Sequence, residues 1–207
     1  MYSQGDQLIR QLRIYDSTAG ELEQYEEPQD EFTSLKILDR CPEFVPPINF
    51  AIVEDGIYRS GHPQAFNFPY LQKLNLKTII YLGDKTDNYD YYRWLRDQGI
   101  NFHYLNMQSC VEPFMFKDDS VIQQALKLIV HKENYPMLIH SNKGKHRVGV
   151  LVGIMRKLLQ GWCISGIFDE YGRFAGGKGE GDVEYIETFK TDLLIDKKTK
   201  PEFVRVG

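Results

Sequence analysis

The sequence predicts an α/β domain with a central, mostly parallel sheet flanked by helices. Three observations predict it. Short apolar runs alternate with helix-spaced segments over most of the chain, the pattern of strands covered by helices. The runs at 77–82 and 136–140 read as buried strands. The second delivers a polar, lysine-rich loop straight into an apolar helix start, an arrangement in which ligands meet the carboxyl end of a sheet.

The elements follow in order. Residues 1–41 read as an extension. Its stretch 16–31 holds seven acidic residues and no lysine or arginine, a composition of solvated, mobile chain. Residues 42–196 read as the folded domain and 197–207 as a C-terminal tail. Within the domain, 77–82 is a strand closed by Gly83, and 89–98 a helix stopped by Gly99. Residues 101–106 form a second strand. Helical spacing of Val121, Ile122, Ala125, Leu128 and Ile129 places a helix over 118–131. The strand 136–140 comes next, then a central helix over 148–160 ended by Gly161, and two more helices over 165–174 and 182–194. Tyr89, Tyr91 and Tyr92 read as helix packing, and His140 as a buried, hydrogen-bonded residue.

The chemistry concentrates in His140, Ser141, Asn142, Lys143, Gly144, Lys145, His146 and Arg147. An arc between strand end and helix start turns backbone N–H groups inward, and the helix dipole adds to them, making an anion cradle. Gly144 allows a positive φ, and Arg147 offers a planar fork for two phosphate oxygens. Lys143, Lys145 and His146 add charge at the rim. The segment resembles the His-Cys-x5-Arg loop of cysteine-dependent phosphatases, with Ser141 at the cysteine position. In an active loop the cradle lowers a thiol pKa from about 8.5 to roughly 3.5–7.5, and the thiolate attacks phosphorus. A hydroxyl stays protonated there and needs a base, and the loop supplies no obvious one.

Other segments resemble one subgroup of atypical dual-specificity phosphatases of fungi and plants, which includes the fungal oxidant-induced cell-cycle-arrest group. They are Val45-Pro46-Pro47-Ile48-Asn49-Phe50, Ile57-Tyr58-Arg59-Ser60-Gly61-His62-Pro63, Leu76-Lys77-Thr78-Ile79-Ile80, Glu112-Pro113-Phe114, and Phe168-Asp169-Glu170-Tyr171-Gly172-Arg173-Phe174. The resemblance spans about residues 45–194. It implies a dual-specificity phosphatase fold. For active members it implies a preference for inositol pyrophosphates with weak phosphotyrosine activity, and for the fungal group a part in stress responses and association with one another. This chain looks most like a branch lacking the cysteine. The family loop usually continues Arg-Thr-Gly or Arg-Ser-Gly, and here Val148 stands in place of that hydroxyl. A laboratory trap would change the cysteine alone, so the double departure favours natural loss of chemistry over an engineered serine in an active phosphatase. Arg173 and Lys178 remain as basic residues of the late helix region, diluted by glycines and Glu180. Glu112 is the candidate general acid, and Asp118 with Asp119 reads as a helix N-cap pair. Arg59 reads as a structural salt-bridge residue preceding the sheet.

The expected activity is therefore that of a pseudophosphatase: a phospho-ligand sensor, or a scaffold for related phosphatases in stress and cell-cycle responses. The alternative is an active tyrosine, dual-specificity or inositol pyrophosphate phosphatase whose cysteine was changed to Ser141. The expected partners are an inositol pyrophosphate or phosphoprotein and related phosphatase-like chains, with no cofactor. A net charge of −4 argues against bulk nucleic-acid binding. The three cysteines, Cys41, Cys110 and Cys163, lack metal spacing and fit a reducing compartment. The absence of an apolar leader or an apolar run of about 18 residues makes the cytoplasm the expected location.

Overall fold

The computed structural model describes residues 44–108, 119–177 and 179–205. Five strands form one sheet in the order β1-β2-β5-β3-β4. They are β1 (Ala51–Glu54), β2 (Ile57–Ser60), β3 (Thr78–Tyr81), β4 (Asn101–Tyr104) and β5 (Met137–His140). The edge pair β1–β2 is an antiparallel hairpin, and the other three pairings are parallel. The six described helices are α1 (Phe68–Gln72), α2 (Tyr89–Asp97), α3 (Asp119–Ile129), α4 (His146–Gln160), α5 (Ile164–Ala175) and α6 (Glu180–Thr188).

The central strands are apolar because both faces are covered. Ile79 and Leu138 point to one side, where they pack with Leu71 of α1 and Tyr91, Trp94 and Leu95 of α2. Ile57, Ile80, Met137 and Ile139 point to the other, into a larger cluster with α3, α4, α5 and α6. The period of two along β5 thus splits the core into two layers. The middle of α4 is buried on nearly every side, which explains its lack of a polar face.

Several expectations need correction. The stretch before the central strands is not merely an opening segment: Ile57–Ser60 is a sheet strand, so Arg59 lies within the sheet. The central helix starts at His146 rather than 148, because the Gly149 N–H already reaches the Lys145 carbonyl at 2.9 Å. The last helix stops at Thr188 rather than running to 194. Lys157 Nζ takes the Ile186 and Phe189 carbonyls at 2.8 and 2.9 Å, and Phe189 turns extended, a cationic cap on the negative helix end. The segment expected as a tail packs against the domain as far as Arg205. Val204 is buried, the Arg205 N–H donates to the Leu159 carbonyl at 2.7 Å, and the Lys132 N–H to the Thr199 carbonyl at 3.1 Å. Of the three tyrosines of α2, Tyr91 is fully buried but Tyr89 is 76% exposed.

Candidate functional site

Residues 141–145 leave the carboxyl end of β5, the middle strand of the sheet, and enter α4. What fixes the arc is the way its carbonyls are gripped from outside. The His62 N–H donates to the Asn142 carbonyl at 3.2 Å. Asn49 Nδ2 donates to the Lys143 carbonyl at 2.8 Å. Arg59 Nη2 donates to those of Gly144 and Lys145 at 3.1 and 3.4 Å. In a trans peptide the N–H points opposite to the preceding C=O. Four outward carbonyls therefore turn the N–H groups of 143–146 toward the hollow. The Gly144 N–H shows the consequence, since it donates to Ser141 Oγ at 3.1 Å. The serine oxygen thus sits at the base of the arc, and the residue is 4% exposed.

Gly144 has a φ of +68°, and a Cβ on it would lie 2.4 Å from Gly61 N and Ser60 C. The loop is pressed against β2, and only glycine fits. Arg59 makes that contact cohesive. Its guanidinium is buried, bonds two loop carbonyls, and lies 3.6 Å from the centre of the Phe174 ring of α5. Burial lowers its pKa to about 10, against the raising charge of Glu170, so it remains a cation at neutral pH. The expected salt-bridge role is replaced by carbonyl and aromatic contacts.

The hollow above the loop has a volume of about 190 Å³ and is lined by Asp84, Ser141, Asn142, Lys143, Lys145, His146 and Arg147. That is below the 300–1,000 Å³ of drug-sized sites and suits one small anion. A larger cavity of about 510 Å³ lies at the opposite end of the sheet, around Glu54, Tyr135, Gln160 and Trp162. Its lining carries three carboxylates, Glu54, Asp55 and Glu202, which oppose an anion, so chemistry rather than size selects the smaller one.

The side chains of the loop divide. Arg147 Nη2 is 2.9 and 3.0 Å from the two carboxylate oxygens of Asp84. Asn142 turns its side chain to Asp84 and Tyr81, not to the hollow's centre: Nδ2 lies 3.1 Å from Asp84 Oδ2, Oδ1 accepts from the Asp84 N–H at 3.0 Å, and Oδ1 lies 3.1 Å from Tyr81 Oη, whose hydrogen goes to the Asp84 carbonyl. The His146 ring is likewise committed elsewhere, with Nδ1 2.9 Å from Tyr171 Oη and 3.2 Å from Asp182 Oδ2. Its expected rim charge is therefore offset by an acid, and among its groups the backbone N–H serves the arc. Lys143 is exposed and Lys145 half-buried. Arg173 is exposed on α5, outside the lining of the hollow. Glu112, Asp118, Cys41, Cys110 and Lys178 lie outside the described residues. Asp119 opens α3, where its carboxylate accepts from Tyr185 Oη at 2.5 Å.

Beneath the loop, His140 is fully buried, stacked on Tyr81, with Nε2 2.6 Å from Tyr91 Oη. Burial, and then the charge of His62, hold its pKa well below 6.5, so the ring is neutral and adds no charge to the loop. It is the buried, hydrogen-bonded residue that the sequence suggests. Asp84 is the residue that sequence reasoning missed. The one available signal was its position, just beyond the carboxyl end of the strand adjoining β5.

Sheet order, covering helices and the strand–loop–helix at its centre define the class: the protein-tyrosine and dual-specificity phosphatase fold. The core catalytic domain of the PP-IP phosphatase SIW14 from Saccharomyces cerevisiae, solved in complex with citrate, superposes with a TM-score of 0.65 at 36% identity, over 71% of this chain and 88% of that one. The chain belongs to the tyrosine phosphatase family, whose profile matches residues 44–206. The tyrosine-protein phosphatase-like protein OCA2 of S. cerevisiae is 42% identical over 172 residues, covering 79% of this chain and 84% of that protein. Inositol diphosphatase DSP4 of Arabidopsis thaliana is 46% identical over 152 residues, covering 73% and 76%. No helix among the described residues is long and apolar enough to cross a membrane.

Proposed function

We propose that this protein grips a phosphoryl group without turning it over. It is a pseudophosphatase, acting as a sensor of a phosphorylated ligand or as a scaffold for related phosphatases. The observation that carries this reading is Ser141 Oγ at the base of an inward amide arc, with no base hydrogen-bonded to it among the described residues. Among the described residues lining the hollow, Asp84 is the one carboxylate, and it is turned to Arg147 and Asn142 rather than to Ser141 Oγ. The ring nitrogen His146 Nδ1 is engaged by Tyr171 and Asp182. A serine nucleophile depends on an adjacent base, and among the described residues the hydrogen-bond partner of Ser141 Oγ is the Gly144 N–H, a donor that cannot take the hydroxyl proton. Val148 is fully buried in the first turn of α4 and brings no hydroxyl. The relatives named as inositol diphosphatase and PP-IP phosphatase support an inositol pyrophosphate as the ligand, with Lys143, Lys145 and Arg173 as surrounding cations. The cytosol, and a part in stress or cell-cycle responses, belong to the same reading.

A thermal-shift titration with phosphate, a phosphopeptide and an inositol pyrophosphate tests it. A ligand at a hundredfold excess over Kd adds about 2.7 kcal/mol to the folded state. The reading predicts a concentration-dependent rise in Tm and no orthophosphate release. A well-folded sample that shifts with none of the three would remove ligand sensing. Ser141→Cys with Val148→Thr should restore hydrolysis if the arc keeps an active geometry.

A further inference from the structure

Asp84 is held in place at three of its groups. Its carboxylate meets Arg147 Nη2 at 2.9 and 3.0 Å and Asn142 Nδ2 at 3.1 Å. Its N–H donates to Asn142 Oδ1 at 3.0 Å, and its carbonyl accepts from Tyr81 Oη. Gly83 makes the approach possible, because a Cβ there would fall 2.0 Å from Asn142 Oδ1 and 2.5 Å from Tyr81 Cε2. A chance surface ion pair lacks this backbone clamp. The two ends of the pair differ sharply in exposure: the Asp84 side chain is 61% exposed and that of Arg147 14%. The acid can swing into water while the arginine stays.

We propose that Asp84 is the loop's internal counter-anion: its carboxylate neutralises Arg147 in the empty hollow, and a phosphoryl ligand must displace it. This rests on the anion-gripping reading above and deepens it. Two anions on one guanidinium repel each other, so the ligand and the carboxylate exclude one another. The contact sets a threshold. A weakly held monoanion leaves the pair closed, whereas a ligand of dense negative charge, also drawn by Lys143 and Lys145, opens it.

The test uses the full chain and two readouts. Inorganic phosphate and tungstate are titrated calorimetrically into the unaltered protein, Asp84→Asn and Asp84→Ala. Separately, the alkylation rate of residue 141 is followed against pH in Ser141→Cys with and without Asp84→Asn, resolved by peptide because the chain also holds Cys41, Cys110 and Cys163. Removing the counter-anion should tighten both anions roughly tenfold. It should also lower the apparent pKa of the introduced thiol, since an uncompensated cradle stabilises a thiolate better. Unchanged or weaker binding in Asp84→Asn would mean that the acid orients Arg147 for its ligand, and displacement would be overturned. If neither anion binds any of the proteins, the anion-gripping reading fails. The thiol then judges Asp84 alone: a lowered pKa upholds the neutralising contact and an unchanged one overturns it.

Discussion

Replacing Gly144 by alanine isolates what holds the loop in shape, because Gly161 provides a matched control. Both glycines have a φ of +68°, so alanine brings the same left-handed strain at each, about 1–2 kcal/mol. Their surroundings differ. A Cβ at Gly161 meets nothing within 4 Å, whereas one at Gly144 meets Gly61 N and Ser60 C at 2.4 Å and Ser60 O at 2.5 Å. Ordinary contact begins near 3.4 Å, so loop and strand must part by about 1 Å. Strand β2 cannot yield, since Ser60 pairs with His140 in the sheet and the Gly61 N–H is bonded to the Ile48 carbonyl at 2.7 Å. The loop must move, straining its bonds to Arg59 and Ser141. Overpacking of this kind adds about 1–3 kcal/mol, for a total of about 2–5 kcal/mol against about 1–2 for Gly161→Ala. Urea unfolding gives both numbers, and tungstate titration gives the functional half. Gly161→Ala should bind tungstate like the unaltered protein, and Gly144→Ala more than tenfold more weakly. Equal costs and equal binding in the two variants would refute the claim that the arc is set by its press against β2.

Three further outcomes follow from the same contacts. Arg59→Met leaves the Gly144 carbonyl without its Arg59 donor, while the Lys145 carbonyl keeps the Gly149 N–H; chemical denaturation should show a loss of about 1–3 kcal/mol. His140 has a lowered pKa in the folded state, so below about pH 6.5 the unfolded chain takes up its proton first. Stability should therefore fall with pH by about 1.4 kcal/mol per unit from this group, and His140→Gln, which keeps an amide for Tyr91, should flatten that part of a pH series of melts. Lys157→Met uncaps α6 and should speed hydrogen exchange across 184–189, at a cost of about 1 kcal/mol.

The parts of the fold legible in sequence were those whose burial is uniform. Strands β3 and β5 are apolar because helices cover both faces, and α4 shows itself by the apolar turns after Arg147. The hairpin was hidden because Ile52 is 70% exposed on its edge strand while Arg59 and Ser60 are buried in β2, the reverse of the usual hydropathy pattern. Arg59 lies in the interior only because the loop's carbonyls and Phe174 receive it, and those partners lie far along the chain. The end of α6 and the docking of 199–205 depend on Lys157, Leu159 and Lys132 in the same way. In the loop, spacing told which backbone would form an arc but not where side chains would turn. Asn142 and His146 face away because Asp84 and Asp182, distant in sequence, attract them.

Phosphorus NMR of an inositol pyrophosphate mixed with the unaltered protein tests the central claim most directly, because one sample reports binding and turnover together. The account predicts that the ligand's resonances broaden or shift as protein is added, while their integrals stay constant over hours. A growing orthophosphate signal at a rate typical of a thiol-dependent phosphatase, or resonances untouched by folded protein, would contradict it.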